Sequence, residues 1–348
     1  MANMQEPKFI VVVGASAGGL QSVIELVAQL RDEMNVSVFV VLHIPKLSLT
    51  EALVSRLQAM TTYLCKLGED DEAIQARHVY LAPPDIHLLV SEEKKIVLGY
   101  GPAENRWRPS IDMLFRSAAA ANNSRVIGII LSGLMQDGTA GMEAIRRSGG
   151  TLLVQDPAEA EYPDMPRSVL QNMEVDYKVS LTQMGAVLAE KTSNGGPPEH
   201  EVPYDIAMEA RISQRLASDI ETLREIGEQS PFSCPDCGGG LYYVNSKEVN
   251  HYRCHVGHSY TEGDLLFCMT KTLEGTLWTA LRMMEERRLL LKRMAQEESE
   301  KGWTHSANLK KSREAEMASH IQRLKDLLYA AQEQRLDNED RDNQKRAS

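Results

Sequence analysis

The sequence predicts a doubly wound α/β domain, followed by a small cysteine-rich hairpin and a C-terminal helical hairpin. Three observations predict this. Short apolar runs without alternation recur through residues 8–190, as strands buried on both faces of a mostly parallel sheet require. Segments of helical apolar spacing stand between the runs, where crossover helices on both faces of the sheet would lie. Two close pairs of metal-ligand residues and two long apolar seams then follow a Gly- and Pro-rich linker.

In chain order, FIVVV (9–13) reads as the first strand, GASAGG (14–19) as a turn and LQSVIELVAQL (20–30) as the first helix. VSVFVVLHI (36–44) is the second strand, stopped by Pro45. HVYLAP (78–83) and IHLLV (86–90) lie so close, across a Pro-Pro-Asp turn, that they predict an inserted hairpin. IDMLFRSAAAA (111–121) and GMEAIRRSGG (141–150) fit crossover helices around the strand VIGIILSG (126–133), and TLLVQD (151–156) is a further strand. This domain is expected to span residues 1–192, with SNGGPPEHEVP (193–203) as linker.

Residues 204–231 predict a helix, with Met208, Ile212, Leu216, Ile220, Leu223 and Ile226 on one stripe and Gly227 as its stop. Residues 232–262 form the cysteine-rich module. In 263–336, Leu266, Met269, Leu273, Leu277, Leu281, Met284 and Leu291 make one seam. Met317, Ile321, Leu324, Leu328 and Ala331 make another, and Gly302 between them predicts an antiparallel helical hairpin. Seams this narrow are also compatible with a partner-binding coiled coil. The charge-rich residues 337–348 read as a disordered tail.

The chain has 348 residues, 43% of them hydrophobic, which is ample for a core and suggests more than one domain. A net charge of −11 argues against nucleic-acid binding, because there is no basic excess to neutralise phosphates. No stretch reaches the ~20 apolar residues that span a bilayer, and MANMQEPKF lacks a signal-peptide pattern. A cytoplasmic protein without membrane insertion is expected. There the five cysteines are thiols or metal ligands before they are disulfides.

Gly14-Ala15-Ser16-Ala17-Gly18 fits G-x-S-x-G, in which a sharp strand-to-helix turn lifts a serine above the sheet. A phosphate loop would need a lysine, and a dinucleotide fingerprint would need glycine at Ser16. The plain alternative is a glycine-rich turn with a capping serine. A nucleophilic serine needs a base and the base an orienting group, all from the carboxyl ends of strands in such a sheet. His43 ends the second strand, and Asp137 lies in a glycine-flanked loop after VIGIILSG. His87, within a strand, and His78, at the start of one, are less well placed. Ser16, His43 and Asp137 therefore form the candidate hydrolase trio, with backbone N–H groups of Ala17 and Leu134 as oxyanion donors.

CPDCGGGLYYVNSKEVNHYRCHVGH (234–258) sets Cys234 and Cys237 two apart, then Cys254 and His258 three apart. Four ligands in two close pairs suit tetrahedral Zn²⁺, and a closed Cys₃His set implies a structural site. His255 competes with His258 on spacing, but its adjacency to Cys254 makes joint chelation awkward. A redox C-x-x-C would need a βαβ context that is absent here. Cys65 and Cys268 read as packing residues.

VVVGASAGGL, VVLHIP, VYLAPPDIHLLV, NRWRPSIDMLFRSAA, VIGIILSGLMQDGTAGM and VQDPAEAEYPDMPRSV together resemble the catalytic domain of CheB-type chemotaxis protein-glutamate methylesterases, over about residues 8–190. The resemblance implies an α/β hydrolase that cleaves glutamate γ-methyl esters on chemoreceptor-like signalling proteins, and often deamidates their glutamines. It places the nucleophile on Ser16, the base on His43 and the orienting aspartate on Asp137. It also implies methyltransferases or regulatory signalling proteins as further partners. Cysteine modules comparable to 232–262 follow some methylesterase-like domains.

Three positions depart from the family pattern: Ala17 replaces the usual threonine, Met135 a glycine, and Trp107 the histidine of N-R-H-R-P. The first strand starts near residue 9, which leaves no room before it for the family's receiver domain. Two rivals follow, a methylesterase-like signalling scaffold working through its zinc module and helices, and a nucleotide-binding regulator. No nucleotide or redox cofactor is expected for the hydrolase.

Overall fold

The computed structural model describes residues 5–43, 50–193, 198, 200–214, 220–244 and 249–347, with 331–347 described by backbone alone. Two compact units divide the chain, residues 1–265 and 266–348.

The first unit is built on seven parallel strands. They are β1 (Phe9–Ala15), β2 (Val36–Leu42), β3 (Leu64–Leu67), β4 (His78–Leu81), and, after a separate hairpin of β5 (His87–Val90) and β6 (Ile96–Gly99), β7 (Val126–Ile130), β8 (Thr151–Gln155) and β9 (Tyr177–Val179). Their spatial order is β3-β4-β2-β1-β7-β8-β9. All seven residues of β1 and all seven of β2 are buried, which is why these strands read as unbroken apolar runs.

Alternation along β1 sends its side chains into two cores. Phe9, Val11 and Val13 pack with Val23, Ile24 and Val27 of α1 (Gly19–Val27), Leu57 of α2 (Thr50–Gln58) and Leu188 of α6 (Met184–Ser193). Ile10 and Val12 face Leu114 and Phe115 of α3 (Ile111–Asn122), Met142 of α4 (Thr139–Arg147) and Val169 of α5 (Asp164–Asn172). The predicted doubly wound sheet is the observed one.

The predicted hairpin is displaced. HVYLAP is β4, inside the sheet between β2 and β3, and the hairpin is β5 with β6, paired from His87↔Gly99 to Val90↔Ile96. The turn at 91–95, with Lys94 at φ 58°, reverses the chain there. Ile44 and Pro45, which end the predicted second strand, lie outside the described residues.

Beyond the sheet, α7 (Tyr204–Gln214) and α8 (Ile220–Ile226) occupy most of the predicted helix 204–231. Residues 227–231 are not helical. Gly227 opens β10 (Gly227–Ser233), paired with β11 (Gly240–Val244), β12 (His251–Cys254) and β13 (Ser259–Thr261) in an antiparallel sheet. A Cβ on Gly227 would stand 2.5 Å from the Tyr243 carbonyl oxygen, so close strand approach, and not only helix termination, calls for glycine. Ile212, Leu223 and Ile226 pack with Tyr242 and Val244 into a small core, with Met208 against it. Leu216 and linker residues 194–197 and 199 lie outside the described residues.

The second unit consists of most of α9 (Glu262–Glu300) and all of α10 (Thr304–Ala347). Leu281, Ile321 and Leu328 are its buried centre, flanked by Leu277, Met284, Met317 and Leu324, as the two seams predict. Gly302, at φ 78°, closes the turn. The backbone of α10 continues through 337–347, where the composition predicts disorder. An established helix adds each further residue without a new nucleation cost.

Candidate active site and metal centre

The carboxyl ends of β1, β2 and β7 meet where the sheet order reverses, the usual ligand position in an open α/β sheet. Ser16 follows β1 and His43 follows β2. The backbone N–H of His43 donates to the Ala15 carbonyl at 3.0 Å, which holds the two residues level on adjacent strands. Ser16 is 8% exposed, and its N–H donates to Ser132, after β7, at 3.0 Å. Gly133 lies against it. A Cβ there would come within 2.9 Å of the Ser16 Cβ.

His43 and Asp137 are in contact, Nε2 to Oδ2 at 3.0 Å, with side chains only 1% and 2% exposed. The other imidazole nitrogen, Nδ1, is buried without a hydrogen-bond partner. No hydrogen bond links it to Ser16 among the described residues. Catalytic hydrogen bonds are often long in a free enzyme and shorten around substrate. Trp107 stacks on His43 with ring centroids 4.0 Å apart and planes 7° from parallel.

Asp137 sits on the N-terminus of α3. Its Oδ2 accepts the Ile111 N–H at 2.8 Å, and Oδ1 accepts Ser110 Oγ at 3.1 Å, the Asp112 N–H at 3.3 Å and Asn105 Nδ2 at 3.2 Å. Burial pushes this carboxyl up, but the His43 contact and the Ile111 and Asn105 donors outweigh it and hold Asp137 below the ordinary range. Its neighbour Asp112 goes the other way: burial first, then the Asp137 charge, raises it well above that range. The two neighbouring carboxyls are thus pushed in opposite directions, with the lowered one beside the imidazole.

The sequence reading passed over Asn105, Ser110 and the helix end that together surround Asp137. Ser110 had a signal, a serine directly before a helical apolar run, which is an N-cap signature; its Oγ accepts the Met113 N–H. His87 is occupied elsewhere. Its Nε2 meets the Pro102 carbonyl at 3.0 Å and its Nδ1 accepts the Ser110 N–H at 3.2 Å.

Around the predicted oxyanion position, Ala17 and Leu134 N–H groups have no acceptor among the described residues. Met135 adopts φ 70°, a left-handed conformation that explains why a glycine would suit the position. Its sulfur lies against the Arg106 guanidinium.

The four ligand atoms of Cys234, Cys237, Cys254 and His258 all lie within 4.8 Å of one another, so this cluster could hold a metal ion. Cys237 and Cys254 sulfurs are 3.7 Å apart, and the Cys254 sulfur is 3.5 Å from His258 Nδ1. Each pair is shaped by a tight turn closed by a left-handed glycine, Gly238 at φ 73° and Gly257 at φ 111°. The contact between Cys254 and Cys234 pulls the Cys234 thiol down and pushes the Cys254 thiol up, as two thiols that share one proton do. Residues 245–248 of the module lie outside the described residues.

Comparisons with known proteins agree with this architecture. The CheB methylesterase family pattern matches residues 11–188. The protein-glutamate methylesterase/protein-glutamine glutaminase of Escherichia coli K12 is 33% identical over 189 residues, 53% of this chain and 54% of its own. That of Geobacillus kaustophilus is 34% identical over 185 residues, 52% of this chain and 53% of its own, so the chain spans about half the length of these two relatives. A Leptospira interrogans protein is 34% identical over 184 residues, 95% of its length. The crystal structure of the Thermotoga maritima CheB methylesterase catalytic domain superposes with a TM-score of 0.50 at 31% identity, covering 52% of this chain and 97% of that one.

Proposed function

The chain belongs to the CheB methylesterase family, and on that premise we propose that it hydrolyses glutamate γ-methyl esters on chemoreceptor-like signalling proteins, with glutamine deamidation as a second activity. The observation that carries the proposal is the buried His43–Asp137 pair, with its second imidazole nitrogen unpartnered, level with Ser16 on the neighbouring strand. In this mechanism Ser16 Oγ attacks the ester carbonyl as His43 Nδ1 takes its proton. Asp137 holds the imidazole by Nε2 and stabilises the imidazolium. N–H groups of Ala17 and Leu134 receive the oxyanion. The proton returns to the departing methoxide and methanol leaves; water, activated by His43, then releases glutamate and restores Ser16.

The metal is proposed to be zinc. A tetrahedron of zinc–thiolate bonds of about 2.3 Å has S···S edges of about 3.8 Å, and the observed 3.7 Å fits it. Three thiolates and one imidazole fill such a site, so its role is structural. A thiolate-bound metal suits a reducing compartment, and the cytoplasm is the proposed location. No helix among the described residues is long and apolar enough to cross a membrane.

Methanol release from a methylated receptor is the direct test. The chain should release it and the Ser16→Ala form should not. No release from either would reject the hydrolase in favour of a signalling scaffold, and equal release would reject Ser16 as the nucleophile.

A further inference from the structure

The metal-binding module does not stand apart from the candidate active site. A bridge pairs Glu104 with Ser259 of β13, and the Asn105 N–H donates to the Ser259 carbonyl at 2.9 Å. The Thr261 N–H donates to Asn105 Oδ1 at 3.1 Å, while Asn105 Nδ2 donates to Asp137 and, at 2.7 Å, to Asp112. Both ends of one buried amide are thus used, one by the module and one by the orienting aspartate. Two ion pairs flank this link. Arg253 of β12 reaches Glu104 at 3.0 Å with both side chains 1–2% exposed, and Arg106 reaches Asp264 at 3.0 Å. The next residue is Trp107, stacked on His43.

We infer that Asn105 is a positioning residue for Asp137 and that the Cys234–Cys237–Cys254–His258 module holds it in place, so that metal loading of the module sets the geometry of the His43–Asp137 pair. β12 runs directly into Cys254, and β13 begins at the residue after His258. The turns that carry the four candidate ligands join β12 to β13 and close the far end of β10 and β11, so loss of the metal loosens the end of this small sheet that grips residues 104–106. The kinetic part of the inference rests on the proposed hydrolase reading; the geometric part does not.

The test uses the full chain with Trp278→Phe and Trp303→Phe, which leaves Trp107 as the single tryptophan of three. Its stack on His43 lets its fluorescence follow protonation of the imidazole with no substrate present. Asn105→Ala removes a donor from Asp137, leaves its charge less compensated and so favours the imidazolium. The midpoint of the fluorescence titration should rise by about half a unit or more. On p-nitrophenyl acetate, kcat should fall roughly 10- to 100-fold, the rate equivalent of one hydrogen bond to a charged group, with KM little changed.

Stripping the metal with a chelator should move midpoint and kcat the same way, and added zinc should restore both. In Asn105→Ala, chelation should add little, because the same link is already cut. An unmoved midpoint in both Asn105→Ala and the stripped chain overturns the inference, as do fully additive shifts. If Asn105→Ala does not fold, the reversible metal arm decides. Midpoints that respond as expected in a chain that hydrolyses no ester support this inference and reject the hydrolase instead.

Discussion

Single residues set the candidate chemistry by their place at strand ends, and the glycines between them set the spacing. If Ser16, His43 and Asp137 act as a unit, His43→Ala should lose ester hydrolysis about as fully as Ser16→Ala, and the double variant little more. Additive losses in kcat would count against the trio. Gly138 follows Asp137 at φ 100°, and a Cβ there would meet Ile130 Cδ1 at 2.5 Å and Ile111 Cγ2 at 2.9 Å. Gly138→Ala should therefore cost about 2 kcal/mol or more in urea unfolding, from backbone strain and overpacking together. A loss within 0.5 kcal/mol, by rough surface-substitution standards, would mean the loop is slack. The candidate trio was legible because Ser16 and His43 directly follow buried apolar runs and Asp137 lies in the glycine-flanked loop after a third. Asn105 and Trp107 were not, since nothing local in NRWRPS marks a contact with Asp137 or His43.

Between elements, buried charge takes over from apolar packing. Arg116 of α3 pairs with Glu104 at 2.7 Å and with Glu209 of α7 at 2.7 Å, and Glu209 also meets His251 of β12 at 2.7 Å. These side chains are no more than 7% exposed, so α3, α7 and the module strand are joined by one desolvated network. Arg116→Met would leave two carboxylates buried with fewer partners and should destabilise the first unit by about 3–5 kcal/mol, read from the urea midpoint. A neutral outcome would show that water or a shifted arginine compensates. The extent of α3 could be read from its apolar spacing over 111–121. Its pairing with β12 could not, because Arg116 and Arg253 look in sequence like solvated charges.

For the whole molecule, the two units have separate cores, and the buried carboxyls whose ionisation the fold shifts lie in the first. Glu104, Glu209 and Asp137 are pushed up by burial but held below their ordinary values of 4.5, 4.5 and 3.8 by arginine and histidine partners. Carboxyls lowered in the fold contribute stability that is complete above those ordinary values and is lost as pH falls through the folded ones. Asp112 and Asp264, both raised by burial, act in the opposite sense and soften the slope. The thermal transition of the first unit should fall as pH drops from about 4.5 toward 2, followed by calorimetry. Ile321→Asp, in the core of the helical hairpin, should lower a second transition and leave the first unchanged. One merged transition, lowered as a whole, would show that the units unfold together.

The sequence by itself determined the doubly wound sheet and the two helical seams, and it singled out the candidate trio and the four candidate metal-ligating residues. Each is written in a short window, as a buried run, a strand end or a ligand spacing, and local burial is what such windows encode. Tertiary structure alone decided that HVYLAP enters the sheet, that α3 points its N-terminus at Asp137, and that Thr261 holds Asn105. Residues 105 and 261 are 156 positions apart. Their hydrogen bond exists only because two cores and a buried charge network bring the sheet of the Cys₃His cluster against the loop beside His43. No periodicity records a pairing between elements, since it depends on the shape of both surfaces after each has folded.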